Sequence, residues 1–137
     1  MREIKFRGQT GTTEGKKWVY GHYYRVKSFF DDIEGHYINT IRSDHLKDYN
    51  VYKETVGQYT GLHDKNGKEI YESDIVEVTR QCIWEKGIVV FIDGCFFIKV
   101  SETLLALYEC EPNNYELKAI GNIYENPDLL KGADNIE

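Results

Sequence analysis

The sequence predicts a mostly-β fold: several antiparallel strands, a small C-terminal barrel and a short terminal helical turn. Three observations predict it. The 137 residues include 11 Tyr, 6 Phe and 2 Trp against one Met and two Pro, and aromatic side chains suit a pleated, half-buried surface. The apolar residues fall in short runs, several with the period-two alternation of a strand. Turn dipeptides separate those runs, above all Asn66-Gly67 and Asp93-Gly94.

Met1–Arg7 alternates, with Ile4 and Phe6 on one face and Glu3, Lys5 and Arg7 on the other. Gly8–Lys17 is rich in Gly and Thr and reads as a loop. Lys17–Val26 is dense in β-formers, and Gly21 within it marks a bulge or a close backbone approach. Ser28–Gly35 reads as a polar, acidic loop and His36–Arg42 as a strand. Ser43–Lys53 reads as irregular, with a helical turn after Ser43, and Glu54–Thr60 as a strand. Asn66-Gly67 predicts a type I′ turn, because both central positions of that turn need positive φ; Tyr59–Leu62 and Lys68–Tyr71 flank it.

Five short strands follow: Asp74–Thr79, Lys86–Ile92, Cys95–Val100, Leu104–Tyr108 and Tyr115–Ile120. Leu104, Leu107 and Tyr108 also fit one face of a short helix. Asn126 before Pro127 is an N-cap followed by proline at the first helical position, opening one turn over Asp128–Leu130. Five strands with tight turns and this ending predict an SH3-like barrel, whose closure would remove exposed sheet edges. The organisation expected is a single domain over residues 1–131, with an N-terminal β part over about 1–60 and the barrel over about 74–124; residues 132–137 form a flexible tail.

A chain of this length buries enough surface to fold without metal or disulfide. Its net charge of −6 argues against a protein built chiefly to grip nucleic-acid backbone, which requires neutralising phosphates. Cys82, Cys95 and Cys110 are odd in number and widely spaced, and no signal peptide is read before them, so reduced thiols in the cytosol are expected. No apolar run reaches the length of a membrane span.

The opening Met1–Gly8 followed by Trp18-Val19-Tyr20-Gly21, the central run Thr55–Val76 and the closing Ile120–Pro127 resemble YopX-like proteins. The resemblance spans nearly the whole chain; residues 26–53 match least well. It implies a phage or prophage protein of unknown function acting in the bacterial host cytoplasm, with a mostly-β fold and an SH3-like barrel. It supplies no catalytic residue. Ser73 stands where the family usually has Gly, a departure that costs turn freedom if the position needs positive φ.

The chemistry-bearing clusters read more simply as structure. In Asp64-Lys65-Asn66-Gly67 the glycine falls at the fourth position, not the sixth as in a calcium loop, so the segment is a turn. His22, His36, His45 and His63 form no close pair with one another or with the cysteines, so no metal site is expected; Cys95, inside an apolar strand, reads as a small core residue. Ser43-Asp44-His45 sets triad residue types side by side, but adjacency in sequence does not build a triad. Asp31-Asp32 reads as a solvated acidic turn. Trp18, Tyr20, Tyr23 and Tyr24 are the candidate binding residues, as a stacking platform; sheet packing is the simpler account of the same four.

No enzyme motif and no cofactor is expected. The function expected is a non-enzymatic protein-interaction module that binds a host or phage protein, with a homo-oligomer as an option the sequence leaves open. The alternatives are a nucleic-acid-binding regulator, for which Lys5, Arg7, Arg25, Lys27 and Arg42 would have to gather on one face, and a small metal-dependent hydrolase or nuclease using His and Asp residues such as His45.

Overall fold

A computed structural model describes residues 3–12, 15–30, 33–42 and 45–130. The chain divides into two compact units, Met1–Tyr59 and Thr60–Glu137. It is mostly β, built from antiparallel sheets.

The first unit contains β1 (Phe6–Thr12), β2 (Gly15–Lys27), β3 (Glu34–Arg42), β4 (His45–Asn50) and the start of β5 (Gly57–His63). The segment expected as a loop, Gly8–Lys17, is instead mostly strand: Gly8 faces Val19 and Gly11 faces Lys16 across the β1–β2 ladder. Gly8 and Gly11 serve packing, while Gly15, at φ +107° beside the β1–β2 turn, serves turning. A Cβ on Gly8 would lie 2.9 Å from Val51, and one on Gly11 would run into the Tyr52 ring. Residues 43–53, expected as irregular, hold β4, which pairs with β3 from Arg42↔His45 to Tyr37↔Asn50. The strand expected from Glu54 starts only at Gly57, after a 3-10 turn over Lys53–Thr55.

Gly21 is where β2 changes neighbour. Up to Phe6↔Gly21 it pairs with β1; from His22↔Asn39 onward it pairs with β3. A side chain at Gly21 would meet the Asn39 carbonyl. The core of this unit is Val19, Ile38 and Val51, with Phe6, Tyr23, Tyr49 and Val56 packed against it. Ile4, expected beside Phe6 on the inner face, is exposed, while Arg7, expected outside, is buried. The ladder begins at Phe6, so Ile4 lies outside it, and from Arg7 to Thr10 β1 is buried on both faces, so alternation does not separate inside from outside there. The Arg7 guanidinium lies 4.6 Å from the centre of the Trp18 ring, a stacking that a planar, weakly hydrated cation tolerates.

In the second unit the later half of β5 adjoins β6 (Glu69–Tyr71). The turn between them is not type I′. Gly67 has φ +83°, but Asn66 is not among the described residues with positive φ. The Gly67 N–H donates to the Asp64 carbonyl at 3.0 Å and the Asp64 N–H to Lys68 at 2.8 Å, the pattern of a type I turn closed by a left-handed glycine. Asp64 explains the choice. Its Oδ1 accepts from the N–H groups of Asn66 and Lys68, and its Oδ2 from that of Ala119, all at 2.9 Å. By contrast the hairpin turn expected at Asp93-Gly94 is present, and with φ +50° and +82° between Ile92↔Cys95 it is of the two-residue primed type.

The five-stranded sheet of this unit runs β10-β9-β8-β7-β11, with β7 Asp74–Arg80, β8 Ile83–Ile92, β9 Cys95–Val100, β10 Thr103–Ala106 and β11 Glu116–Asn122. Residues 104–108 satisfy both expectations: β10 ends at Ala106 and a 3-10 turn covers Leu107–Glu109. The core is Ile70, Val76, Val78, Val89, Phe96, Ile98, Leu107, Cys110 and Leu117. Cys95 is exposed, correcting its expected place in that core. Phe96 and Ile98 point inward on β9, so the pleat turns Cys95 outward. Among the described residues no ladder joins β10 to β11, so closure of a barrel is not seen. Asp128–Leu130 is helical as expected. The Asn126 side-chain oxygen, however, accepts from the Asn122 N–H at 3.3 Å rather than capping that turn. Residues 131–137, including the expected tail, lie outside the described residues.

Candidate interaction surface

The four candidate aromatic residues are split by the pleat and by the bend of β2. Trp18 is half-buried under Arg7, and Tyr23 is half-buried against the first core. Tyr23 stacks on His36 (5.9 Å, 3° between planes), and its hydroxyl lies 2.6 Å from His36 Nδ1. These two side chains belong to packing. Tyr20 (46% exposed) and Tyr24 (39%) face solvent. Tyr24 stacks on Tyr37 at 5.3 Å. Burial of part of its ring, then the neighbouring Asp48 carboxylate, push its phenol above the ordinary range. The four therefore do not form one stacking platform.

The conspicuous apolar exposure lies at hairpin ends. Between β2 and β3, Phe29 is 100% and Phe30 99% exposed, and Ile33 is also exposed. Val26↔Gly35 and Lys27↔Glu34, the last pairs of that hairpin, have no third strand among the described pairings. At the β7–β8 hairpin, Ile83 and Trp84 (75%) stand in solvent, next to a turn in which Gln81 and Cys82 both take positive φ. Sequence reasoning missed both ends, because it read residues 28–35 as a polar loop and began β8 only at Lys86. The available signal was a Phe pair and a Trp placed in turn segments, where no core demands them.

Of the five cations, Arg25 and Lys27 are exposed two residues apart on β2. Lys5 pairs with Glu3 at 3.5 Å, Arg7 is buried, and Arg25 pairs with Glu34 at 3.3 Å. The Arg42 and His45 side chains lie outside the described residues, as do Ser43-Asp44 and Asp31-Asp32. A groove of about 410 Å³ in the second unit brings together His63, Asp64, Cys110 and Glu111. Two of these groups, Asp64 and Cys110, are committed to structure. Burial would raise the Asp64 pKa, but three backbone donors and Lys68 outweigh it and hold the carboxyl below its ordinary value. Burial, then Glu109, push the Cys110 thiol up to about 11, which leaves it protonated and unreactive. Among the described residues no three His, Cys, Asp or Glu side chains cluster as metal ligands, and no helix is long and apolar enough to cross a membrane.

The central motif shared with YopX-like proteins is built into this architecture. Besides Asp64 and Gly67, Thr60 Oγ1 donates to the Ile70 carbonyl at 2.8 Å, and Asp74 Oδ2 accepts from the Tyr71 N–H at 2.8 Å. Ser73 does adopt positive φ, +78°.

No curated protein matches the chain. Among solved structures, protein EF1440 from Enterococcus faecalis has a similar fold, with a TM-score of 0.56, 22% identity, and coverage of 95% of this chain and 99% of that one. The family model for the YopX protein matches residues 5–131, and the chain belongs to that family.

Proposed function

We propose that the chain is a phage or prophage accessory protein that works in the bacterial cytoplasm as a non-enzymatic protein-interaction module. The observation that carries this reading is the placement of large apolar side chains at two hairpin ends, Phe29-Phe30 and Ile83-Trp84, where they add nothing to either core. Exposed apolar clusters of this kind mark contact surfaces, and aromatic anchors dominate protein interfaces. The second unit is read as an SH3-like barrel. A four-strand meander, a 3-10 turn and a fifth strand returning to pair with the first support that reading. The commitment of Asp64 and Cys110 to structure supports a module without catalysis. The nucleic-acid reading has weaker support, since Arg7 is buried and Lys5 and Arg25 are ion-paired.

Trp84 is the expected anchor for a host or phage protein. A photo-crosslinking benzoyl-phenylalanine installed at Trp84, in bacteria producing the chain, should give one discrete adduct. The identified partner should bind the purified chain at least tenfold more weakly after Trp84→Ser. Absence of any adduct, or binding indifferent to that substitution, refutes the reading.

A further inference from the structure

We infer that a second copy of this chain docks on the β2–β3 arm, pairing the two open His22–Lys27 edges antiparallel about a two-fold axis at Tyr24. Three features of the first unit lead there. Beyond Gly21, β2 has β3 on one side and no described strand on the other, and an unpaired row of backbone N–H and C=O groups is a template for another strand. The side chains of His22 and of residues 24–27 are exposed, and among the described residues no second strand pairs with that edge. At its end stand Phe29 and Phe30, fully in solvent.

The register follows from the pleat. In a continuous sheet, directly opposed residues share a face, so the copies must align on a single residue. Alignment on Arg25 would oppose like charges. Alignment on Tyr24 opposes Tyr24 to Tyr24 and His22 to Val26, and sets Tyr23 beside Arg25. It also extends the Tyr24–Tyr37 stack across the axis. The same alignment brings Lys27 of one copy level with Gly21 of the other. The Phe29-Phe30 tip then reaches the β1–β2 junction, where Ile4 and Tyr20 are exposed. Four phenylalanines at about 150–250 Å² each come close to the roughly 1,000 Å² that a specific interface needs. Because each copy offers both tip and junction, the contact closes on itself as a dimer.

The inference goes beyond the module reading, which rests on Trp84 for its own test. Light scattering coupled to size exclusion should find a dimer of the 16.0 kDa chain at about 100 μM, a concentration that detects micromolar association. Phe29→Ser with Phe30→Ser should weaken dimerisation at least tenfold, as should Tyr24→Lys, which opposes like charges. With Cys82 and Cys95 changed to Ser, Tyr24→Cys should form an intermolecular disulfide on mild oxidation faster than Lys27→Cys. A monomer at that concentration overturns the inference. So does a dimer whose affinity ignores both the phenylalanine pair and Tyr24, or one that crosslinks equally from both cysteine positions. If Tyr24→Lys fails to fold, the phenylalanine variant decides, since those side chains touch no core. A monomeric chain that still crosslinks a partner through Trp84 loses the self-pairing and keeps the module.

Discussion

Two hairpins of this protein are built on opposite principles. The β5–β6 hairpin is tied inward: one buried carboxylate, Asp64, accepts from two N–H groups of its own turn and from Ala119 on β11. The β2–β3 hairpin is turned outward: it ends on two fully exposed phenylalanines, and its last pairs have no third strand among the described residues. Segments selected for stability satisfy their backbone with short polar side chains near Gly. Segments that meet a partner leave apolar surface unspent. The contrast predicts that substitutions in the first hairpin change stability and those in the second change association.

The largest effect should come from Asp64→Ala, which leaves three backbone donors without their acceptor. A loss of about 3 kcal/mol is expected, read as a lower urea midpoint at pH 7. The pH dependence has a definite sign. Folding lowers the Asp64 pKa, so its contribution is complete above the ordinary value of 3.8 and is lost as pH falls through the lowered one. The gap between the parent chain and Asp64→Ala should therefore narrow below about pH 4; a gap that stays constant to pH 2 breaks the account.

Gly67→Ala comes next. The added methyl has open space around it, so the cost is the left-handed backbone alone, at φ +83°, about 1 kcal/mol. Ser73→Gly should act in the opposite direction and raise stability by about 0.5–1 kcal/mol, because Ser73 holds φ +78° and glycine adopts it without strain. Its hydroxyl lies 3.3 Å from that of Tyr124, a weak contact whose loss subtracts little. A thermal shift downward would show that this contact outweighs the backbone. The smallest effect should be that of the joint change Phe29→Ser and Phe30→Ser. At a concentration where the chain is monomeric, its melting temperature should stay within the roughly 0.5 kcal/mol expected of surface changes. A larger loss would mean that the tip is part of the fold, and the comparison between the hairpins would fail.

Much of the second unit could be read in advance. Asp74–Thr79 and Cys95–Val100 match observed strands almost residue for residue, and Asp93-Gly94 takes the expected turn. The first unit was less legible. Gly8 and Gly11 carry the composition of a loop, yet they lie in a strand because Val51 and Tyr52, some forty residues later, fill the space above them. The candidate aromatics fared similarly. As neighbours on one strand Tyr23 and Tyr24 face opposite ways, but no local pattern tells that Tyr23 meets His36 or that Phe29 and Phe30 stand fully in solvent.

What the amino-acid order settled unaided is the mostly-β character, the family, and the places of the turns at Asn66-Gly67 and Asp93-Gly94. Those properties are local, since φ and ψ preferences and period-two alternation act over a few residues. Folding in three dimensions decided which glycines make room rather than turn, where β2 exchanges one neighbour for another, and which side of the pleat faces water. Burial is a property of pairs of segments distant in sequence. A residue such as Cys95 or Phe30 carries no mark of its fate until the chain has placed something, or nothing, against it.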